Sequence, residues 1–297
     1  MEHMKPFEFA PQKLSREQLL KEMLPHMRMA YEKSQRVLVE SAIKLEDFRD
    51  LYEGVVDRDQ EWVERMEAGQ SETDIHKMHA DIIEAILFEH IEQSNWFGES
   101  ATTIKTSKFD DIRNGIDIIV EFEEETNRLV HMGLAVDVTF GNTAAQNKIM
   151  KIKENIENGI LKEVKYFTSE RSPHKGLYRN LPSVVVGVDR LHLDELARMW
   201  TDDGRKREFA VHPVQMMILH EIRSQLMKFS KYAEQCGKKD IAAIYQKQLS
   251  VVQQILAWKS GVDSRTYEKS DSVHDDILRP FQAAKPPFVL LVALAYP

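Results

Sequence analysis

Apolar residues recur at helical spacing through residues 14–67, from Leu19, Leu20, Met23 and Leu24 to Phe48, Leu51, Tyr52 and Val55, and Pro25 interrupts the run in its first third. The spacing predicts one kinked helix or two helices. Ser71, with Asp74 three residues on, reads as a capping-box-like start to a second periodic run that reaches about Asn95. Between 101 and 140 the period falls to two. Ile116, Ile118, Val120 and Phe122 alternate with Asp117, Ile119 and Glu121, and Leu134, Val136, Val138 and Phe140 alternate with Ala135, Asp137 and Thr139. These are two strands paired as a hairpin, with a weaker strand at 102–106.

Asn142 or Thr143 then caps a helix whose Ala145, Ile149, Ile152 and Ile156 share a face, and Gly159 ends it. Strands follow at 160–167 and 183–188. The segment between them, SERSPHKGLYRNLP, reads as an exposed basic loop. Helices are expected at 191–200, 212–235 and 238–259, and a polar loop at 261–285. The pattern divides the chain into a helical N-terminal extension (1–70), an α/β core (71–200) and a helical C-terminal region (201–297). From 72 to 168 the order is helix, strand, strand, strand, helix, strand.

The 297 residues carry 40 Lys and Arg against 48 Asp and Glu, a net charge of −8, with 42% hydrophobic residues. That composition is globular and removes bulk electrostatics as an argument for nucleic-acid binding, leaving room for a local basic groove. A single cysteine, Cys236, fits a reducing compartment. With no signal-peptide pattern and no apolar run of membrane-spanning length, a cytoplasmic protein with no membrane partner is expected. The apolar stretch FVLLVALAY at 288–296 is too short to span; it reads as a buried terminal segment or as a docking element for a second subunit, giving a homodimer.

Phosphate-loop, dinucleotide-binding, nucleophile-elbow and zinc-protease motifs are missing, so chemistry falls to carboxylates, lysines and histidines. Asp117 and Asp137 stand in the middle of largely apolar strands, where a carboxylate is costly unless paired, hydrogen-bonded or bound to a cation. On adjacent strands they can present two hard oxygen ligands to Mg²⁺ or Mn²⁺. On the preceding helix, Ile75, Met78, Ile82, Ile83 and Ile86 centre the apolar face; Glu89 lies about 60° from that centre and Glu84 on the opposite side. Glu89 is therefore the acid expected to face the sheet. His79 and His90 share its face and read as interior histidines bonded to backbone. Asp110 and Asp111 read as turn-shaping residues before the strand.

The element order, an acid on the first helix, NGID at 114–117 and AVDVTF at 135–140 together resemble the core of the PD-(D/E)xK nuclease superfamily, over about a third of the chain. The resemblance implies a restriction-endonuclease-like αβββαβ core with a mixed sheet, here carrying N- and C-terminal helical extensions. It also implies a metal-dependent nuclease of DNA or RNA in which Asp117, Asp137 and Glu89 hold Mg²⁺ or Mn²⁺. The family's lysine position is occupied by Thr139. Some members take that lysine from the following helix, where Lys148 flanks the apolar face and becomes the fourth expected catalytic residue.

Lys105, Lys108, Arg113, Arg171, Lys175 and Arg179 are the expected partners of substrate phosphates. Two further readings compete. One is a catalytically inactive nuclease-like scaffold that dimerises or binds a partner through its helical extensions. The other is a metal-dependent phosphohydrolase acting on nucleotides.

Overall fold

The computed structural model describes residues 15–69, 74–123, 129–137, 143–259 and 261, with the side chains of 133–137, 143 and 144 outside that description. Ser71, Thr139, all but residue 261 of the loop expected at 261–285, and the apolar stretch at 288–296 therefore lie outside the described residues. The fold is mixed α/β.

Pro25 decides between one kinked helix and two. Helix α1 (Arg16–Glu22) ends at Met23, Met23 and Leu24 are extended, and Pro25 takes the first position of α2 (Pro25–Ser41), where its missing N–H costs nothing. A 3-10 turn (Leu45–Phe48) leads to α3 (Val56–Gly69). Asp74 caps α4 (Ile75–Gln93) by accepting from the His76 N–H at 2.8 Å. Strand β1 (Ala101–Lys105) is followed by a short helix, α5 (Lys108–Asn114), where the sequence predicts a turn at Asp110 and Asp111. Ser107 caps it through the Asp110 N–H, and Gly115 closes it at φ +61°, a conformation that favours glycine.

Strands β2 (Ile118–Glu123) and β3 (Leu129–Asp137) pair antiparallel as expected, and β1 pairs antiparallel with β2. After α6 (Thr143–Glu157) the chain departs from the expected order. Strand β4 (Lys162–Thr168) leaves the main sheet and pairs with β5 (Lys175–Leu181), which forms in the segment read as a loop. The main sheet takes β6 (Ser183–Gly187) instead, parallel to β3, in the order β1-β2-β3-β6. The reason lies in the pattern of burial. Val184, Val185 and Val186 are all buried in the main core, whereas β4 offers Val164 and Phe167 to a second, smaller core with Ile104, Ile116 and Ile119. A strand buried on both faces suits the sheet; a half-buried one suits the outer hairpin.

The remaining helices are α7 (Arg190–Trp200), α8 (Lys206–Ala210), α9 (Val214–Gln235) and α10 (Lys239–Trp258). One hydrophobic cluster joins Met27 and Tyr31 of α2, Ile82 and Ile86 of α4, the inner face of the sheet, and Phe229 and Val252 of α9 and α10. The flanking helices thus share the core of the α/β unit. No helix among the described residues is long and apolar enough to cross a membrane.

At the β6 edge, Gln225 of α9 accepts from the Val185 N–H at 2.8 Å and donates to its carbonyl at 2.6 Å, standing in for a neighbouring strand. Gln225→Leu leaves both buried backbone groups without partners and should cost about 2–3 kcal/mol. A urea midpoint equal to that of the wild type would show that the edge does not need this amide.

Candidate functional site

Gly115 turns the chain out of α5, and β2 begins only at Ile118, so strand alternation does not govern Asp117. Ile116 joins the outer core with Ile119, while Ile118, Val120 and Phe122 enter the main core. The bend leaves the Asp117 carboxylate in a cleft of about 690 Å³ between α2, α4, α5 and α6, whose lining includes Asp81, Glu84, Lys105, Asp111 and Lys148. The N-terminal extension supplies part of the wall through Tyr31, Gln35 and Glu67.

Lys105, expected to meet substrate phosphate, is only 5% exposed and lies inside this carboxylate group. Its ammonium is 2.8 Å from Glu84 Oε1 and 4.0 Å from Asp111 Oδ2, and it donates to the Asp117 carbonyl at 3.0 Å. Burial alone would lower the Lys105 pKa; Glu84, Asp111 and Asp117 reverse that and hold it above its ordinary value. The carboxylates respond in opposite directions. Burial, then the charges of Glu84 and Asp111, drive Asp117 well above the ordinary carboxylate range against the pull of Lys148 and Lys105. For Asp111, burial is outweighed by Lys105, Lys108 and a hydrogen bond with Asp117, which hold it low. The contact between Asp111 and Asp117 thus drives the two carboxyls apart, one high and one low, as in other close carboxyl pairs. Asp81, which accepts from Gln35 at 2.8 Å, is pushed up to about 6 by burial and by Glu84.

Glu89 is not part of this group. Its carboxylate accepts from the Trp200 indole N–H at 2.8 Å and lies 3.6 Å from the Lys33 ammonium, between α2 and α7. The helical wheel erred because α4 is buried nearly all round, packing on α2, α7, β1 and β3, so no single apolar centre marks the sheet side. Glu84, 7% exposed, takes the place expected of Glu89. His79 and His90 are interior, both lowered to about 4 chiefly by burial, and His90 meets the Ser94 hydroxyl at 2.8 Å rather than backbone.

Asp137 lies at the tail of β3, its backbone opposite Gly187 of β6, and its side chain falls outside the description. Because Ile118 pairs with Leu134, the head of β2 and the tail of β3 share one end of the sheet. Lys148 lines the cleft from α6 and acts electrostatically on Asp117.

The other basic residues scatter. Lys108, 45% exposed, stays at the cleft, 3.0 Å from Asp111. Arg113 faces the other side of α5, over the Trp62 ring. Arg171 pairs with Glu123 at the far end of β2, Lys175 with Asp50, and Arg179 lies 3.6 Å from Glu163. The expected basic loop is therefore a turn and a strand whose cations meet acids.

For a divalent cation the donor chemistry fits in part. Asp117 and Glu84 are hard oxygen donors, and the repulsion that raises Asp117 is what a cation relieves. Among the described residues, however, no group of three or more His, Cys, Asp or Glu is arranged to hold a metal ion, and the Lys105 ammonium holds Glu84. Compared with models of protein families, with curated proteins and with solved structures, the chain matches none.

Proposed function

We propose that the protein is a divalent-metal-dependent nuclease that hydrolyses phosphodiester bonds of DNA or RNA, built on the restriction-endonuclease-like core. Two insertions, α5 and the β4-β5 hairpin, interrupt an α4-β1-β2-β3-α6-β6 order, with an antiparallel β1-β2-β3 meander and β6 parallel to β3. The observation that carries the reading is convergence: Glu84, Asp117 and Lys148 reach one cleft from α4, the head of β2 and α6, at the sheet end where β3 delivers Asp137.

In this reading Asp117, Asp137 and Glu84 hold Mg²⁺ or Mn²⁺, which when bound supplies the charge that polarises a phosphoryl oxygen and lowers the pKa of a water. Lys105 holds Glu84 in place through their ion pair. Lys148 offsets negative charge developing on the phosphate and steadies the attacking water, the part that preorganised cations play in phosphoryl transfer. Lys108 at the rim meets a substrate phosphate. Lys148 on α6 takes over the work of the family lysine that Thr139 replaces.

A second reading, the inactive nuclease-like scaffold, is favoured by Lys105, whose ammonium already neutralises Glu84 much as a cation would. One experiment separates the two. If the cleft binds metal, millimolar Mn²⁺ should raise the melting temperature over that in EDTA, since a ligand bound only by the native state stabilises it by mass action. The same preparation should cut one of single-stranded or double-stranded DNA or RNA. No shift and no cutting of any of the four would leave the scaffold reading.

A further inference from the structure

On the face of α5 away from the carboxylate cleft, a second pocket of about 390 Å³ opens between α3 and α5. Arg58, Trp62 and Arg65 line it from α3, Phe109 and Arg113 from α5, and Lys165 from β4. Its one carboxylate, Asp59, is taken up by the Lys165 ammonium and the Tyr166 hydroxyl. Three arginines remain, all exposed. Arg58 lies 3.9 Å from Asp59, Arg65 donates to the Glu61 carbonyl, and Arg113 lies 5.6 Å from the centre of the Trp62 ring. Neither Arg65 nor Arg113 forms an ion pair among the described residues. In a chain of net charge −8 this is a local reversal of sign around an aromatic floor, where Trp62 meets the Phe109 edge at 5.3 Å and stays partly exposed.

Guanidinium forks select phosphate oxygens, and an indole face selects a flat π-system. A carboxylate ligand would leave the indole unused, and an uncharged aromatic would leave the arginines unused. We propose that this pocket binds one nucleotide unit, with its base against Trp62 and its phosphate among Arg58, Arg65 and Arg113. The unit is either a free nucleotide or one residue of a single strand. The site stands apart from the cleft. Asp111 and Ile112 turn to the cleft while Phe109 and Arg113 turn to the pocket, so α5 is a wall common to both.

The test uses the full chain in EDTA, where cleavage is silent, with fluorescein-labelled single-stranded dT12 followed by anisotropy and unlabelled dTMP as competitor. Trp62→Ala should weaken dT12 binding by about fivefold or more, the loss expected of one stacked base, and Trp62→Phe should restore most of it. Arg65→Ala, at an exposed position where folding is not at stake, should lower the slope of log affinity against log salt by about one. Displacement by dTMP assigns the site to a free nucleotide; binding of dT12 without displacement assigns it to a strand. The proposal is overturned if neither probe binds, or if dT12 binds the wild type, Trp62→Ala and Arg65→Ala with one affinity and one salt slope. Because the readout needs no metal, a cleft that never cuts leaves this result standing, and a pocket that never binds leaves the cleft untouched.

Discussion

Asp117→Asn should cut nucleic acid in Mg²⁺ or Mn²⁺ far more slowly than the wild type, yet melt above it in EDTA at pH 7 to 8. The carboxamide keeps the shape of the side chain and removes its charge. Activity should fall on the order of 10²-fold or more, the usual scale for losing one preorganised electrostatic group. The gain in stability follows from the raised pKa of Asp117, which burial and the neighbouring Glu84 and Asp111 impose. A carboxyl whose folded pKa exceeds its unfolded value binds its proton more tightly in the native state. Its contribution to stability therefore declines as pH rises from the ordinary carboxylate range through the folded value, and the decline is complete at higher pH. Asparagine escapes that penalty, with a gain of about 0.5–2 kcal/mol, the size common when a functional site is relieved of strain. Glu84→Gln should lose cutting as Asp117→Asn does, whereas Glu89→Gln, at the Trp200 indole, should cut near the wild-type rate. Retained cutting in Asp117→Asn, or the reverse ranking of the two glutamates, would sink this assignment of the cleft.

Glu121→Ala should cost about 3 kcal/mol, because it leaves the His131 ring nitrogen, the Ser169 hydroxyl and the Glu170 N–H without their acceptor. Glu121 and His131 are direct partners across β2 and β3, with the imidazole Nε2 2.6 Å from the carboxylate. The same carboxylate accepts from the Ser169 hydroxyl at 2.6 Å and the Glu170 N–H at 2.8 Å, and the other imidazole nitrogen meets the Tyr178 hydroxyl at 3.0 Å. This network ties the outer hairpin to the main sheet. Burial would raise the Glu121 pKa, but the bonds from His131 and Ser169, the His131 charge and the Glu170 N–H together hold it below its ordinary value. With the folded pKa depressed, the stabilisation is fully present above the ordinary glutamate range and is lost as pH falls through the folded value. Urea unfolding from pH 7 down to pH 3 should show the wild type losing this increment in acid, and Glu121→Gln should flatten that limb. A Glu121→Ala midpoint within experimental error of the wild type would mean that the hairpin is held by its apolar contacts alone.

The two results bear on different levels of the molecule. The Glu121 network sits at the far end of β2 from Asp117, so its loss should loosen the hairpin without altering the charges in the cleft. Arg171, which donates to Thr102 and pairs with Glu123, belongs to that same far end. This is why the middle basic segment, attractive as a phosphate contact on composition, does not line the carboxylate cleft.

What was legible in the residues themselves was local. Pro25, Gly159 and the two periodicities mark the helices and the β2-β3 pair, because each acts through its own backbone or its nearest neighbours. Asp117 is legible as a charge within an apolar run, and Lys148 is expected only through the family resemblance; both line the cleft. Ser107 and Gly115 bracket α5 with ordinary start and stop signals, so that helix was available to a closer reading of the same kind. Other features depended on packing between distant segments. Glu84 rather than Glu89 faces Lys105 because α4 is enclosed on several sides, and a wheel drawn for a half-exposed helix has no unique centre there. The fourth strand of the sheet is β6 rather than β4, since edge pairing is settled by competition for two-sided burial among segments that look alike in isolation. The burial of Lys105 among acids, the Glu121-His131 pair and the arginine pocket beside α5 all join residues tens of positions apart. Charge and hydrogen-bond energies depend on such distances, and only the folded chain sets them.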